Sequence, residues 1–143
     1  MSDSTLKTIA TDIANAISAI TYNGKLLSAT VDFVPDFPLN KIKERRIVVT
    51  PFGYGRTNLA RNKSETEAKI NVGICEKISL SDVDDRLLLV ETIIKSLERT
   101  ILPTKAAVVL RCETDPIYDA ELLRTTRVFI AICTFTVKVV ADD

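Results

Sequence analysis

Histidine is absent from all 143 residues. That absence removes Ser-His and Cys-His nucleophile pairs, and it removes imidazole as a metal ligand. An excess of either charge sign is missing as well, because 19 Lys and Arg balance 19 Asp and Glu. A neutral balance argues against a dedicated nucleic-acid binder and leaves little repulsion against self-association. Cysteine is sparse and odd in number: Cys75, Cys112 and Cys133, without CxxC spacing. That fits neither a disulfide framework nor a zinc site. Each lies in an apolar or alternating run, so reduced, mostly buried thiols of a cytoplasmic protein are expected. The longest apolar run, Val128 to Cys133, is far too short to span a membrane. The opening MSDSTLKTIATD carries acids and no apolar stretch, so no signal peptide is expected there. There is no internal repeat and no low-complexity segment.

What is present reads as one domain over residues 1–143. A chain of this size buries roughly 68–70% of its unfolded surface, enough for a core without metal or disulfide staples. Leu6, Ile9, Ile13, Ile17 and Ile20 fall at helical spacing. They predict an amphipathic helix from Ser4 to Ile20, stopped by Asn23-Gly24. Lys25 to Val34 alternates, with Leu27, Ala29, Val31 and Phe33 on one face, and reads as a half-buried strand ended by Pro35 and Pro38. A second strand, Ile47 to Thr50, is closed by Pro51. Residues 51–65 then read as a long polar loop, since they carry no apolar period. Alternation resumes from Thr66 to Ile74 as the other arm of that hairpin.

A second helix begins at Ser81 with acids Asp82, Asp84 and Asp85 at its start, where they suit the helix dipole. Its stripe is Val83, Leu87, Val90, Ile94, Leu97 and Ile101, widened by Leu88, Leu89 and Ile93, and Pro103 stops it. Ala106 to Glu113 is a strand with Val108, Leu110 and Cys112 on one face. DPIYDAE is a turn. The last strand, Thr126 to Val140, places Phe129, Ala131, Cys133, Phe135, Val137 and Val139 on one face. Val128, Ile130 and Ile132 make its first half apolar on the other face too, so that half is expected to be covered on both sides. At about 3.4 Å per residue it is about 45–50 Å long, more than a small domain needs. The expected fold class is α+β. It is a mainly antiparallel sheet of about five strands with two amphipathic helices on one face and a long hairpin loop at 51–65.

Chemistry-bearing constellations are scarce. Asp115, Asp119 and Glu121 cluster in a Pro-containing turn, which rarely supplies a pKa-raising pocket, so a solvated turn is expected. PFGYGR has a Gly-x-Gly pair without the third Gly of a dinucleotide loop or the GK[ST] of a P-loop. No catalytic, cofactor or metal residues are assigned, and no enzyme is expected. Tyr54, Arg56, Asn58, Arg61 and Lys63 read first as a solvated loop without a partner; next they suit a protein partner or, through charge and stacking, an anion or single-stranded nucleic acid. Lys41, Lys43, Arg45 and Arg46 suit a solvated strand edge. Alternatively they form half of a charged interface whose acidic half is Asp82 and Asp85, with Asp115 and Asp119.

The element order, with SDVDDRLLLVETIIKSLERTIL as the second helix and RVFIAICTFTVKVV as the closing strand, resembles tailed-bacteriophage tail terminator (tail-completion) proteins. The resemblance spans roughly Thr5 to Val140 and lies in order and texture, not in a short motif. It implies a non-enzymatic virion protein, assembled in the host cytoplasm and located at the tail neck. Such proteins form a hexameric ring on the tail-tube end, stop tube growth and meet the head-tail connector or stopper. DNA passes through the lumen without specific binding. A connector or tube subunit of the same class is the near alternative. A small cytosolic module binding an anion or nucleic acid through the basic loop is the alternative from another class.

Overall fold

Why the chain folds as it does is clearest in its first helix. The computed structural model describes residues 4–33, 44–104, 107–114 and 117–142. Helix α1, Thr5–Ser18, is capped by the Ser4 hydroxyl, which accepts from the Lys7 N–H at 3.1 Å. Its Ile9, Ile13 and Ile17 are fully buried. Asn23-Gly24 does not merely end this segment. Both residues have positive φ, 53° and 79°, so they turn a tight hairpin between β1, Thr21–Tyr22, and β2, Lys25–Leu26.

That turn corrects the expected 25–34 strand. Lys25 and Leu26 are taken up by the hairpin, and only Ala29–Val31 remains as β3. Strand β3 pairs in parallel with β4, Arg46–Ala60. A parallel pair needs a crossover rather than a tight turn. Pro35, Pro38, Lys41 and Lys43 lie outside the described residues, as does Asp115.

The main correction concerns residues 51–65. They are not a loop. β4 runs through Pro51 to Ala60, turns at Arg61-Asn62, and returns as β5, Lys63–Lys77. The pairing is continuous except for shifts around Phe52 and Leu59. Pro51 is tolerated for a geometric reason. The Val49 carbonyl accepts from the Asp32 N–H on the β3 side, so by strand alternation Pro51 also faces that side, beyond the last paired residue of β3. A missing N–H costs nothing at such an edge.

The 3-10 turn Leu80–Asp82 leads into α2, Val83–Leu97. Strand β6 is Val108–Glu113, α3 is Ala120–Thr126 and β7 is Val128–Asp142. The sheet order is β3-β4-β5-β7-β6, with every pair antiparallel except β3–β4. The α+β class and the five strands are as the sequence implies.

Ala68, Ile70, Val72 and Ile74 of β5 share one buried face with Phe129 to Val139 of β7, and α1 and α2 contribute to the same core. Burying such side chains is worth about 1.5–3 kcal/mol each. Asp12 of α1 is buried too. Its carboxylate accepts from the Thr104 N–H and hydroxyl, at 3.0 and 2.8 Å.

Helix α2 turns a different face inward than its heptad-like stripe suggested. Leu89, Val90, Ile93 and Leu97 are buried, while Val83, Leu87 and Ile94 only flank the core. Ile101 is 66% exposed. The helix ends at Leu97, well before Pro103, because Arg99 adopts a left-handed φ of 58° and its N–H bonds the Val109 carbonyl. In β6 a bulge at Leu110 lets Val109 and Cys112 share the core side, so Leu110 faces out. The expected DPIYDAE turn contains the start of the third helix. Its Leu122 touches Val128 and Cys75 on the far side of the sheet. Ile132, further along that far face, is exposed rather than covered.

Candidate assembly surface

Beyond Pro51 the hairpin becomes an arm. Tyr54 to Ala60 are all exposed, although their backbones pair with β5. β5 pairs in turn with β7 out to Asp142, and β6 flanks β7 as far as Lys138, level with Gly55, so beyond that level the arm is three strands wide. β3 reaches only Val49, so among the described residues the outer side of β4 has no further strand. Phe52 is 67% exposed and Tyr54 57%.

Two ionic contacts lie on the surface beside the arm: Lys138 of β7 to Glu65 of β5, and Arg111 on the strand beyond β7 to Glu67 of β5 at 3.7 Å. Ser64 is buried and accepts from the Arg56 guanidinium at 3.2 Å. A shallow groove of about 530 Å³ runs along the arm over Gly53, Gly55 and Thr57, beside Glu65, Glu67 and Lys69. Gly53 matters here for space: a Cβ would come within 3.3 Å of the Lys69 side chain. The five residues named from sequence, Tyr54, Arg56, Asn58, Arg61 and Lys63, thus lie on one projecting element. Arg61 sits in its turn and Lys63 opens the return strand.

The other basic cluster has a different fate. Arg45 is neither a free edge charge nor a separate docking patch. It bonds Glu76 at 3.1 Å and lies over the Tyr22 ring at 5.2 Å. Glu76 is shared with Arg86, at 2.6 Å. Arg86 pairs with Asp85, whose carboxylate also accepts from the Tyr22 hydroxyl. The Asp85 backbone carbonyl accepts from that hydroxyl at 2.8 Å. Charges expected to meet across two subunits therefore meet inside one.

The electrostatics follow from this network. The Tyr22 hydrogen bond, helped by Arg86, holds the Asp85 carboxyl below its ordinary range. Burial, then Asp85, pushes the Tyr22 phenol up. Burial opposes the Arg86 charge, and Glu76 more than restores it. Arg46 enters β4 directly, in register with Cys75.

The acids named from sequence divide in role. Asp82 accepts from the Ser79 hydroxyl at 2.9 Å beside the start of α2. Asp119 caps α3 by accepting from the Leu122 N–H at 3.0 Å. Glu121 pairs with Arg124 one helical turn on. Among the described residues no three His, Cys, Asp or Glu side chains gather as metal ligands would. Burial raises the Cys75 thiol to about 11. Cys112 and Cys133 are in hydrogen-bond contact, which lowers the Cys112 pKa and raises that of Cys133. No described helix is long and apolar enough to cross a membrane.

Sequence reasoning missed Phe52 and Leu59. Phe52 and Leu59 sit at the two register shifts of β4, where strand alternation gives no signal. Leu88 was legible as one apolar residue too many on its helix. The chain matches no known family model, and no curated protein is similar to it at a significant level. The class defined by fold and surface is therefore an α+β domain that carries a three-stranded projecting arm.

Proposed function

We propose that this chain is a structural virion protein, a tail terminator that closes as a ring on the end of a phage tail tube. The ring stops tube growth and offers its opposite side to the head-tail connector. It performs no catalysis, and DNA passes through its lumen without specific contacts. The observation that carries the reading is the outer strand of the arm: its backbone is paired while Tyr54 to Ala60 are all exposed, and it bears Phe52, Tyr54 and Leu59 and ends at Arg61. A free-standing domain gains no stability from solvated strands that expose aromatic side chains, whereas an assembling subunit buries them against a neighbour. A connector or tube subunit would use the same feature, and differs in whether assembly stops at a ring.

The anion-binding alternative is less well supported. The groove beside Arg56 sets Glu65 and Glu67 against Arg56 and Lys69, so it carries no net positive charge to draw a phosphate.

Light scattering across a concentration and salt series, with electron microscopy, tests the proposal. A discrete ring of several chains, or a monomer that becomes a ring only on tail tubes, is the expected result. Long stacks would favour a tube subunit. A strict monomer that ignores tubes and retains DNA at low salt would overturn the reading.

A further inference from the structure

We infer that the arm of one copy seats on the outer face of helix α2 of a second copy, joining two different patches head to tail. The inference rests on the ring reading for its partner, a second copy, and deepens it by naming the contact. On the arm, β4 beyond Pro51 carries no acid, and the turn adds Arg61. The arm's acids stand on β5, where Glu65 and Glu67 face Lys138 and Arg111, and at the end of β7, where Asp142 is in register with Lys63. Tyr54 and Leu59 give the outer strand exposed apolar side chains, and Arg61 places positive charge at its tip.

Helix α2 presents the complement. Asp84, Leu88 and Glu91 fall at i, i+4 and i+7, so they share one face. All three are exposed, and Leu88 is 54% so. An apolar side chain between two carboxylates matches an apolar strand tipped by a guanidinium. Lys95, exposed one turn beyond Glu91, leaves only the N-terminal half of this face acidic. Opposite charge favours seating the Arg61 tip on that half. Contacts between two different patches are the kind that close rings. The apolar residues would carry most of the affinity, and the rim charges would set register and association rate.

The test uses two full-length variants, each altered only at exposed positions. One damages the arm, Leu59→Ser with Arg61→Ser. The other damages the helix face, Leu88→Arg with Glu91→Lys. Circular dichroism checks that each keeps its fold, and light scattering is run where the native chain assembles. Each variant alone is expected to stay monomeric. Their mixture is expected to double in mass and stop there, because each mixed pair retains one intact arm and one intact helix face. The single-chain swap, Arg61→Glu with Glu91→Arg, is expected to restore larger assemblies and guards against either variant simply folding poorly. If both variants assemble like the native chain, the ring reading stands and this interface is wrong. If the mixture stays monomeric while the swap also fails, the head-to-tail pairing is overturned. If the native chain never associates, alone or on tail tubes, the ring reading falls and the inference falls with it.

Discussion

The same three strands, β4, β5 and β7, live in two environments. Near Ile47, Ile74 and Ala131 their inner face is fully covered and its side chains have almost no exposure. Toward Leu59, Lys63 and Val140 the backbone ladder continues, yet β4 is solvated residue after residue. Strand formation and core formation are thus separable. Hydrogen bonds to a neighbouring strand are available to any sequence, including GYGRTNLA. Burial needs a second layer, and the core is filled only where α1 and α2 contribute. Most of the stability should therefore reside in the covered half, and the arm should open locally at lower cost.

The largest expected effect tests that division. Phe135→Ala, in the covered half with no exposure, should lower unfolding free energy by about 3–5 kcal/mol in urea denaturation. Tyr54→Ala, on the same sheet but on the arm, should stay within about 0.5 kcal/mol. Equal losses would break the comparison.

An intermediate effect comes from the network at the covered end. The folded pKa of Asp85 is depressed. Its contribution to stability is therefore present above the ordinary carboxylate pKa and lost as pH falls through the lower folded value. Tyr22→Phe removes the main cause, so the Asp85 midpoint should rise toward the ordinary range in a carbon-13 carboxyl titration. The Tyr22 phenol has the opposite sign. Its folded pKa is raised above the usual 10.0, so that contribution is present below pH 10.0 and lost as pH rises through the folded value. The alkaline loss from this group should vanish in Tyr22→Phe. An unmoved Asp85 midpoint would show that Arg86 alone sets it.

The smallest effect sharpens the picture of the arm. A Cβ at Gly55 meets only the Glu67 carbonyl, at 4.0 Å, and φ there is not positive. Gly55→Ala should thus change stability by less than about 1 kcal/mol, and in the stabilising direction, because glycine loses more backbone freedom in a strand. A large loss on thermal denaturation would mean that the groove floor is packed more tightly than the strands imply.

How much was legible beforehand follows from the range of each interaction. The inner faces of β5 and β7 and the buried isoleucines of α1 were readable, because burial against one layer imprints a period on neighbouring residues. Asp119 read as a surface turn, since a cap and a turn use the same residue type. Arg45 and Asp85 read as separate patches, because nothing local reveals that Glu76 and Arg86 stand between them. The arm read as a loop for a related reason: solvated strand residues bear no apolar alternation.

By itself, then, the sequence determined the α+β class, the buried faces of α1, β5 and β7, and the absence of a histidine-based site. Those depend on composition and on periods of two and 3.6 residues. Only the tertiary structure decided that residues 51–60 are strand, that β3 runs parallel, and that the Arg45, Glu76, Arg86 and Asp85 charges are joined within one subunit. Each of those rests on backbone or charged partners far apart in the chain, and such pairing leaves no local pattern to read.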